Sequence, residues 1–162
     1  MSLIDKLYKK RYNVKNYKKY CKDATSTFVY VTVYLSYNEN LSELPEFVKN
    51  VYYITTFLAD TLNSSMYLFF YDEEHSKSIN EVRHALEEAK MEEALSIFNL
   101  AVQTFENVII DRTQSIDYLK DNVPLNVQYN VTFYEEELAK LQANDYLYNQ
   151  LNEYFQKELE KN

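Results

Sequence analysis

The chain has 162 residues and a net charge of −8, with 46% hydrophobic and 26% charged residues, the profile of one globular domain rather than a disordered or collagen-like chain. It holds no glycine, two prolines and one cysteine, which excludes a P-loop, a G-x-G-x-x-G turn, a nucleophile elbow, an internal disulfide framework and a multi-cysteine zinc site. Most two-residue hairpin turns want glycine as well, so an all-β fold is disfavoured.

Residues 1–22 carry eight Lys or Arg against one acid, Asp5, a net +7, and the remaining 140 residues carry −15. Leu3, Leu7, Val14 and Tyr17 recur among these lysines at helical spacing, so the leader reads as a basic helix. It is expected to fold back on the acidic body or to be solvated. The longest uncharged stretch, Ala24–Asn38, is shorter than the ~18–20 apolar residues of a membrane span. With no apolar signal segment at the start, a cytoplasmic address is the expectation.

Within that stretch, residues 25–37 conflict. Val, Thr, Tyr and Phe favour a strand by local propensity. No second segment offers a partner strand, so the segment reads as a buried helix.

Pro45 and Glu46 suit the first turn of the next helix. Phe47, Val51, Ile54, Leu58 and Leu62 then recur at steps of three or four. Asn63-Ser64-Ser65 breaks this helix and caps a short aromatic one with Met66, Phe69 and Phe70. Ser78-Ile79-Asn80-Glu81 reads as a capping box opening a long helical run. Val82, Leu86, Ala89, Leu95, Phe98 and Val102 form its expected inner face, with a bend near Lys90–Glu92. Pro124 marks an expected loop around 120–129. Two helices follow, about 131–142 and 145–160, with Asn144 or Asp145 capping between them. The expected fold is all-α, a compact array of six to eight helices in one domain, with a leader helix (1–22) and an acidic helical body (23–162).

Few residues propose chemistry. Asp72-x-x-His75 and Glu81-x-x-His84 share the carboxylate-x-x-His spacing of di-iron bundles. The pairs are nine residues apart, however, and His75 falls before the capping box, so both histidines read as solvated and no metal or cofactor is expected. Glu135-Glu136-Glu137 reads as solvated, dipole-favoured decoration. Cys21 has lysine neighbours but no His or acid placed to activate it, and reads as a buried or incidental thiol. The 17 tyrosines read first as core and semi-buried packing, and their surplus admits a homodimer.

The segment Asp60-Thr61-Leu62-Asn63-Ser64-Ser65-Met66-Tyr67-Leu68-Phe69-Phe70-Tyr71-Asp72, then Ala85-Leu86-Glu87-Glu88-Ala89 and Ala94-Leu95-Ser96-Ile97-Phe98, carries a family pattern. So does the tail from Leu138 to Phe155. Over about residues 44–155 the chain resembles a bacterial family of small helical proteins, mostly of unknown function, that includes a DNA-mimic protein. That family typically has Asn-Gly-Gly where this chain has Asn63-Ser64-Ser65, and a closing Asn where it has Asp72. If the glycines serve a special backbone angle, the serines must avoid it. The resemblance implies a non-enzymatic role, in which acidic side chains on a helical surface stand in for phosphates and occupy a DNA-binding protein such as a helix-turn-helix regulator.

Three readings follow. In the first, an acidic face docks a basic, DNA-binding partner through Asp60, Asp72, Glu73, Glu74, Glu87, Glu88, Glu92 and Glu93, around the motif residues Asn63, Ser64, Ser65, Phe69 and Phe70. The second is a metal-dependent hydrolase or oxidoreductase using His75, His84 and nearby acids. The third is a nucleic-acid-contacting protein working through the basic leader. An acidic body repels membrane headgroups and nucleic acid and attracts basic proteins, so the first reading is adopted, with no membrane contact and no direct nucleic-acid contact expected.

Overall fold

Local capping and long-range capping together set where the helices begin and end. A computed structural model describes residues 1–162 and is helical throughout, with no strand. The leader holds α1 (Leu3–Arg11), a 3-10 turn (Val14–Asn16) and α2 (Tyr17–Tyr20). Then come α3 (Ala24–Tyr37), α4 (Glu46–Asn63), α5 (Met66–Tyr71), α6 (Glu73–Ser76), α7 (Ile79–Glu88) and α8 (Glu92–Phe105). The chain ends with α9 (Ile116–Asn122), α10 (Leu125–Leu141), a 3-10 turn (Ala143–Asp145) and α11 (Tyr146–Lys161). The array is all-α, as expected, with eleven α-helices; α2, α5 and α6 are single turns or little longer, and α9 lies where the periodicity predicts no helix.

Residues 25–37 are helix. Asp23 opens α3 with a capping box, its carboxylate accepting from the Ser26 N–H while the Ser26 hydroxyl returns to the Asp23 N–H. Ala24, Thr27, Tyr30, Val31 and Tyr34 then fall on one buried face. Tertiary burial at helical spacing overrides the strand propensity.

α4 is the central element. Ten of its residues are buried, and it packs against α3, α5, α7, α10 and α11. Phe57 meets Phe69 and Phe98 edge-on at 5.5 and 4.9 Å, and Phe47 meets Phe155 at 5.6 Å. One hydrophobic cluster of 35 residues runs from Cys21 to Phe155.

The chain departs from the expected boundaries at three places. Ser78 does not form the expected capping box; its backbone is not extended (φ −99°, ψ 19°), and its hydroxyl donates to the His75 carbonyl at 2.6 Å. The expected bend near Lys90 is a full break. Met91 N–H donates to the Leu86 carbonyl and Lys90 N–H to the Glu87 carbonyl, with Lys90 left-handed at φ 55°, a Schellman closure. Met91 and Leu86, the two apolar positions of that motif, are both fully buried. The expected loop at 120–129 is α9 running to Asn122, then Val123-Pro124, then α10 from Leu125. Pro124 precedes α10 as Pro45 precedes α4.

The leader is not one helix, since Tyr12 and Asn13 interrupt it. It docks mainly by aromatic contact, with the Lys18 ammonium donating to the Asn162 carbonyl and Gln156 to the Lys22 carbonyl. Tyr8 stacks on Tyr37, and Tyr12 and Tyr20 both meet Tyr30. The Tyr30 hydroxyl donates to the Asn13 carbonyl. No leader Lys or Arg forms an ion pair with the body.

Candidate functional site

Ser65, Phe69 and Phe70 of the motif serve the fold. Ser64 ends α4 and Ser65 opens α5, with φ of −138° and −161°. Ser65 is extended and neither residue has a positive φ, so neither position needs glycine here. Buried Ser65 accepts from the Tyr67 N–H at 3.1 Å. Phe69 and Phe70 are in the core, and Asn63 is exposed.

Glu135 departs from the solvated reading. It reaches across from α10 and accepts the Met66 N–H at 3.0 Å, so α5 is capped by Ser65 and by a carboxylate 69 residues away. Opposite it, Arg112 closes the other end of α5, donating to the Tyr71 carbonyl at 2.7 Å and to the Phe70 carbonyl at 3.4 Å.

Asp60 and Asp72 also serve the fold. Asp72 caps α6 by accepting from the His75 N–H at 2.9 Å. Asp60, at the end of α4, stands 2.6 Å from His75 Nδ1, and its side chain is 13% exposed. His75 is therefore half-buried and paired, not freely solvated. The hydrogen bond to Asp60 holds its pKa above the ordinary 6.5, against the opposing pull of burial.

The remaining acids of the set are exposed. Glu73 and Glu74 flank Lys77 at 3.5 and 3.9 Å. Glu87 and Glu88 end α7, and Glu92 and Glu93 begin α8, on either side of the Lys90 break. None of these four has an ion-pair partner. Glu93 accepts from the Tyr146 hydroxyl at 3.3 Å.

Three tyrosines show how the acids connect. Burial raises the pKa of Tyr52, and Asp72, Asp60 and Glu74 raise it further. Burial raises Tyr53, with Glu81 and Glu46 adding to it. Burial raises Tyr154, with Glu158, Glu88 and Glu46 adding to it. Glu46 is shared by the second and third neighbourhoods, and α4 carries both Tyr52 and Tyr53. In space, Glu74 and Glu81 line the surface beside Tyr52 and Tyr53, Glu46 continues it beside Tyr53 and Asn50, and Glu88 and Glu158 flank Tyr154, so these carboxylates follow one edge from α6 along α7 and the start of α4 to α11. Asn50 pins the edge from below, donating to the Tyr154 hydroxyl at 2.9 Å. Glu46, Glu81, Glu153, Glu158 and Glu160 belong to this region and were missed in the sequence, because they are brought there only by helix packing.

Two open hollows follow the edge. One, of about 480 Å³, is lined by Tyr52, Tyr53, Glu74, His75, Lys77 and Glu81 among others. The other, of about 580 Å³, lies between α7 and α11, with Glu88, Glu153, Glu158 and Glu160 on its walls beside Lys157 and Lys161. No group of three or more His, Cys, Asp or Glu is arranged to hold a metal ion. His84 stands 3.5 Å from Glu46 and away from Asp60 and His75's pair. Cys21 is fully buried, and burial pushes its thiol up to about 11 despite Lys22 nearby. No helix is long and apolar enough to cross a membrane.

Residues 42–162 match the family model described as DMP19-like protein. No curated protein and no solved structure matches.

Proposed function

The chain belongs to the DMP19-like family, in keeping with its resemblance to a family that includes a DNA mimic, and from that premise we propose that it is a non-enzymatic module whose acidic edge occupies the DNA-binding face of a basic protein, such as a helix-turn-helix regulator. A DNA-binding face is built to meet ordered negative charge, and phosphate contacts supply most of its non-specific affinity. A rigid helical edge bearing Glu74, Glu81, Glu46, Glu88 and Glu158 offers such charge without a flexible backbone to order on binding.

The observation that carries the reading is that Glu74 and Glu81, then Glu81 and Glu46, then Glu88 and Glu158 line successive stretches of one surface, joined through Tyr53 and the Asn50–Tyr154 hydrogen bond. The test is capture of DNA-binding proteins on the immobilised chain, with release by salt and by competing duplex DNA. Partners held equally at low and high ionic strength, or indifferent to DNA, would end this reading.

The same protein has a second exposed surface of different chemistry. Asn122–Tyr134 contains no charged residue. Within it Leu125, Tyr129 and Phe133 follow each other at four-residue steps on α10, 64%, 71% and 55% exposed. A like-charged copy is repelled by the acidic edge and meets no such repulsion here. A two-fold axis at Tyr129 would pair Leu125 with Phe133 of the other copy, so we assign this face to a homodimer.

A further inference from the structure

The leader has surface chemistry opposite to that of the body, and it lies outside the family-matched residues 42–162. α1 buries none of its residues. Leu3, Ile4 and Leu7 are 74%, 62% and 59% exposed. Asp5 and Tyr8 hold the helix to Tyr37, by a hydrogen bond of 3.3 Å and a ring stack. At 3.6 residues per turn, Leu3 and Leu7 therefore point away from the body. Lys6 and Lys10 flank them on one side, Ile4 and Arg11 on the other. No Asp or Glu pairs with any leader cation.

We propose that the leader is an interfacial helix that docks on an anionic lipid surface. Exposed aliphatic side chains between lysines match the boundary of acyl chains and headgroups, where the leucines are buried and the ammonium groups stay at the phosphates. A nucleic acid is the poorer fit. It would leave Leu3, Ile4 and Leu7 in water. The leader's Tyr12 and Tyr20 are also packed on Tyr30 rather than offered as stacking platforms. The body's −15 opposes docking only over roughly one Debye length, ~8 Å at physiological salt, so the protein meets the surface leader first. The helix lies on the membrane and does not span it.

The test uses the full chain and two kinds of vesicle, phosphatidylcholine alone and phosphatidylcholine with phosphatidylglycerol. Co-sedimentation with the anionic vesicles only, weakened by salt, is the expected result. Replacing Leu3 and Leu7 by Ser leaves the charge and the tyrosine contacts intact, and lowers the partition coefficient by about tenfold. K6E with K10E does the same or more. Circular dichroism checks the fold of both variants. Equal binding to neutral vesicles, no vesicle binding, or unchanged binding after L3S with L7S would overturn the proposal. So would an RNA or DNA oligonucleotide that binds the leader more tightly than the anionic vesicles do.

Discussion

Asp60 Oδ2 lies 2.6 Å from Nδ1 of His75, joining the last turn of α4 to the single turn of α6. Phe69 stacks on the imidazole at 6.2 Å, so the pair sits against the core. Its stability contribution depends on pH with a definite sign. His75 has a raised pKa in the folded chain. The contribution is therefore fully present below the ordinary value of 6.5 and fades as pH rises through the raised value. Partial exposure screens the pair. Asp60→Asn should cost about 1 kcal/mol by urea unfolding between about pH 5 and 6, and clearly less at pH 9. A cost that does not change across that range would refute the ion pair.

Glu135 and Glu136 are adjacent on α10 with different partners. Glu135 accepts the Met66 N–H, whereas no hydrogen bond or ion pair involves Glu136. Glu135→Ala should destabilise by about 1 kcal/mol, the usual cost of a lost helix cap, and Glu136→Ala by less than about 0.5 kcal/mol. Glu135→Gln keeps an acceptor and should fall between. Thermal unfolding of the three variants ranks them, and equal loss at 135 and 136 would remove Glu135 as a cap.

Lys90 is the one left-handed residue in the chain that is neither Asn nor Asp, the others being Asn144 and Asp145. A lysine Cβ crowds the backbone in this region, and glycine does not. Lys90→Gly should stabilise the protein by about 0.5–1 kcal/mol, because the Schellman closure is already in place. Lys90→Ala removes the charge but keeps the Cβ, so it should give no such gain. Chemical denaturation of the pair separates the backbone effect from the electrostatic one.

The sequence showed where helices run better than what holds their ends. Periodicity located α4, and burial at helical spacing decided α3 against its strand propensity. Pro124 punctuates the sequence like a loop, yet its fixed φ serves a helix start, as that of Pro45 does. A capping box needs an extended cap residue, and the turn after α6, in which the Ser78 N–H and hydroxyl both donate to the His75 carbonyl, denies Ser78 that backbone. The acid set was legible in part. Glu87, Glu88, Glu92 and Glu93 are free and exposed, while Asp60 and Asp72 serve α6. Glu135–Met66 and the grouping of Glu46 with Glu88 and Glu158 span many residues of chain. No local pattern encodes them, because packing of α4, α7, α10 and α11 creates them.

The uncharged α10 face makes a prediction about assembly. Phe133 and Tyr129 are exposed and bear no intramolecular load beyond the Phe133–Tyr134 ring contact. Phe133→Glu with Tyr129→Glu should leave unfolding unchanged within about 0.5 kcal/mol per site. It should convert a two-copy species to one copy in light scattering, by adding like charges to both sides of the contact. A native chain that runs as a single copy at high concentration would rule out the assignment.

Around the Lys90 break, Glu88 of the edge stands with three further exposed acids, and this group predicts which carboxylates matter for a partner. Glu87, Glu88, Glu92 and Glu93 have no ion pairs, so changing all four to Gln removes no stabilising contact except the Glu93–Tyr146 hydrogen bond, which is partly kept. Relief of repulsion at the end of α7 is offset by the loss of Glu92 and Glu93 from the first turn of α8, so stability should stay within about 1 kcal/mol. Binding to a basic partner should weaken and its salt dependence should flatten, since fewer charges take part. Asp117 and Asp121 on α9 are equally exposed and lie off the edge. Changing them to Asn alters net charge in the same sense and should leave binding nearly intact. If the α9 pair weakens binding as much per charge as Glu88 and its three neighbours do, recognition depends on net charge alone and no ordered array is being read.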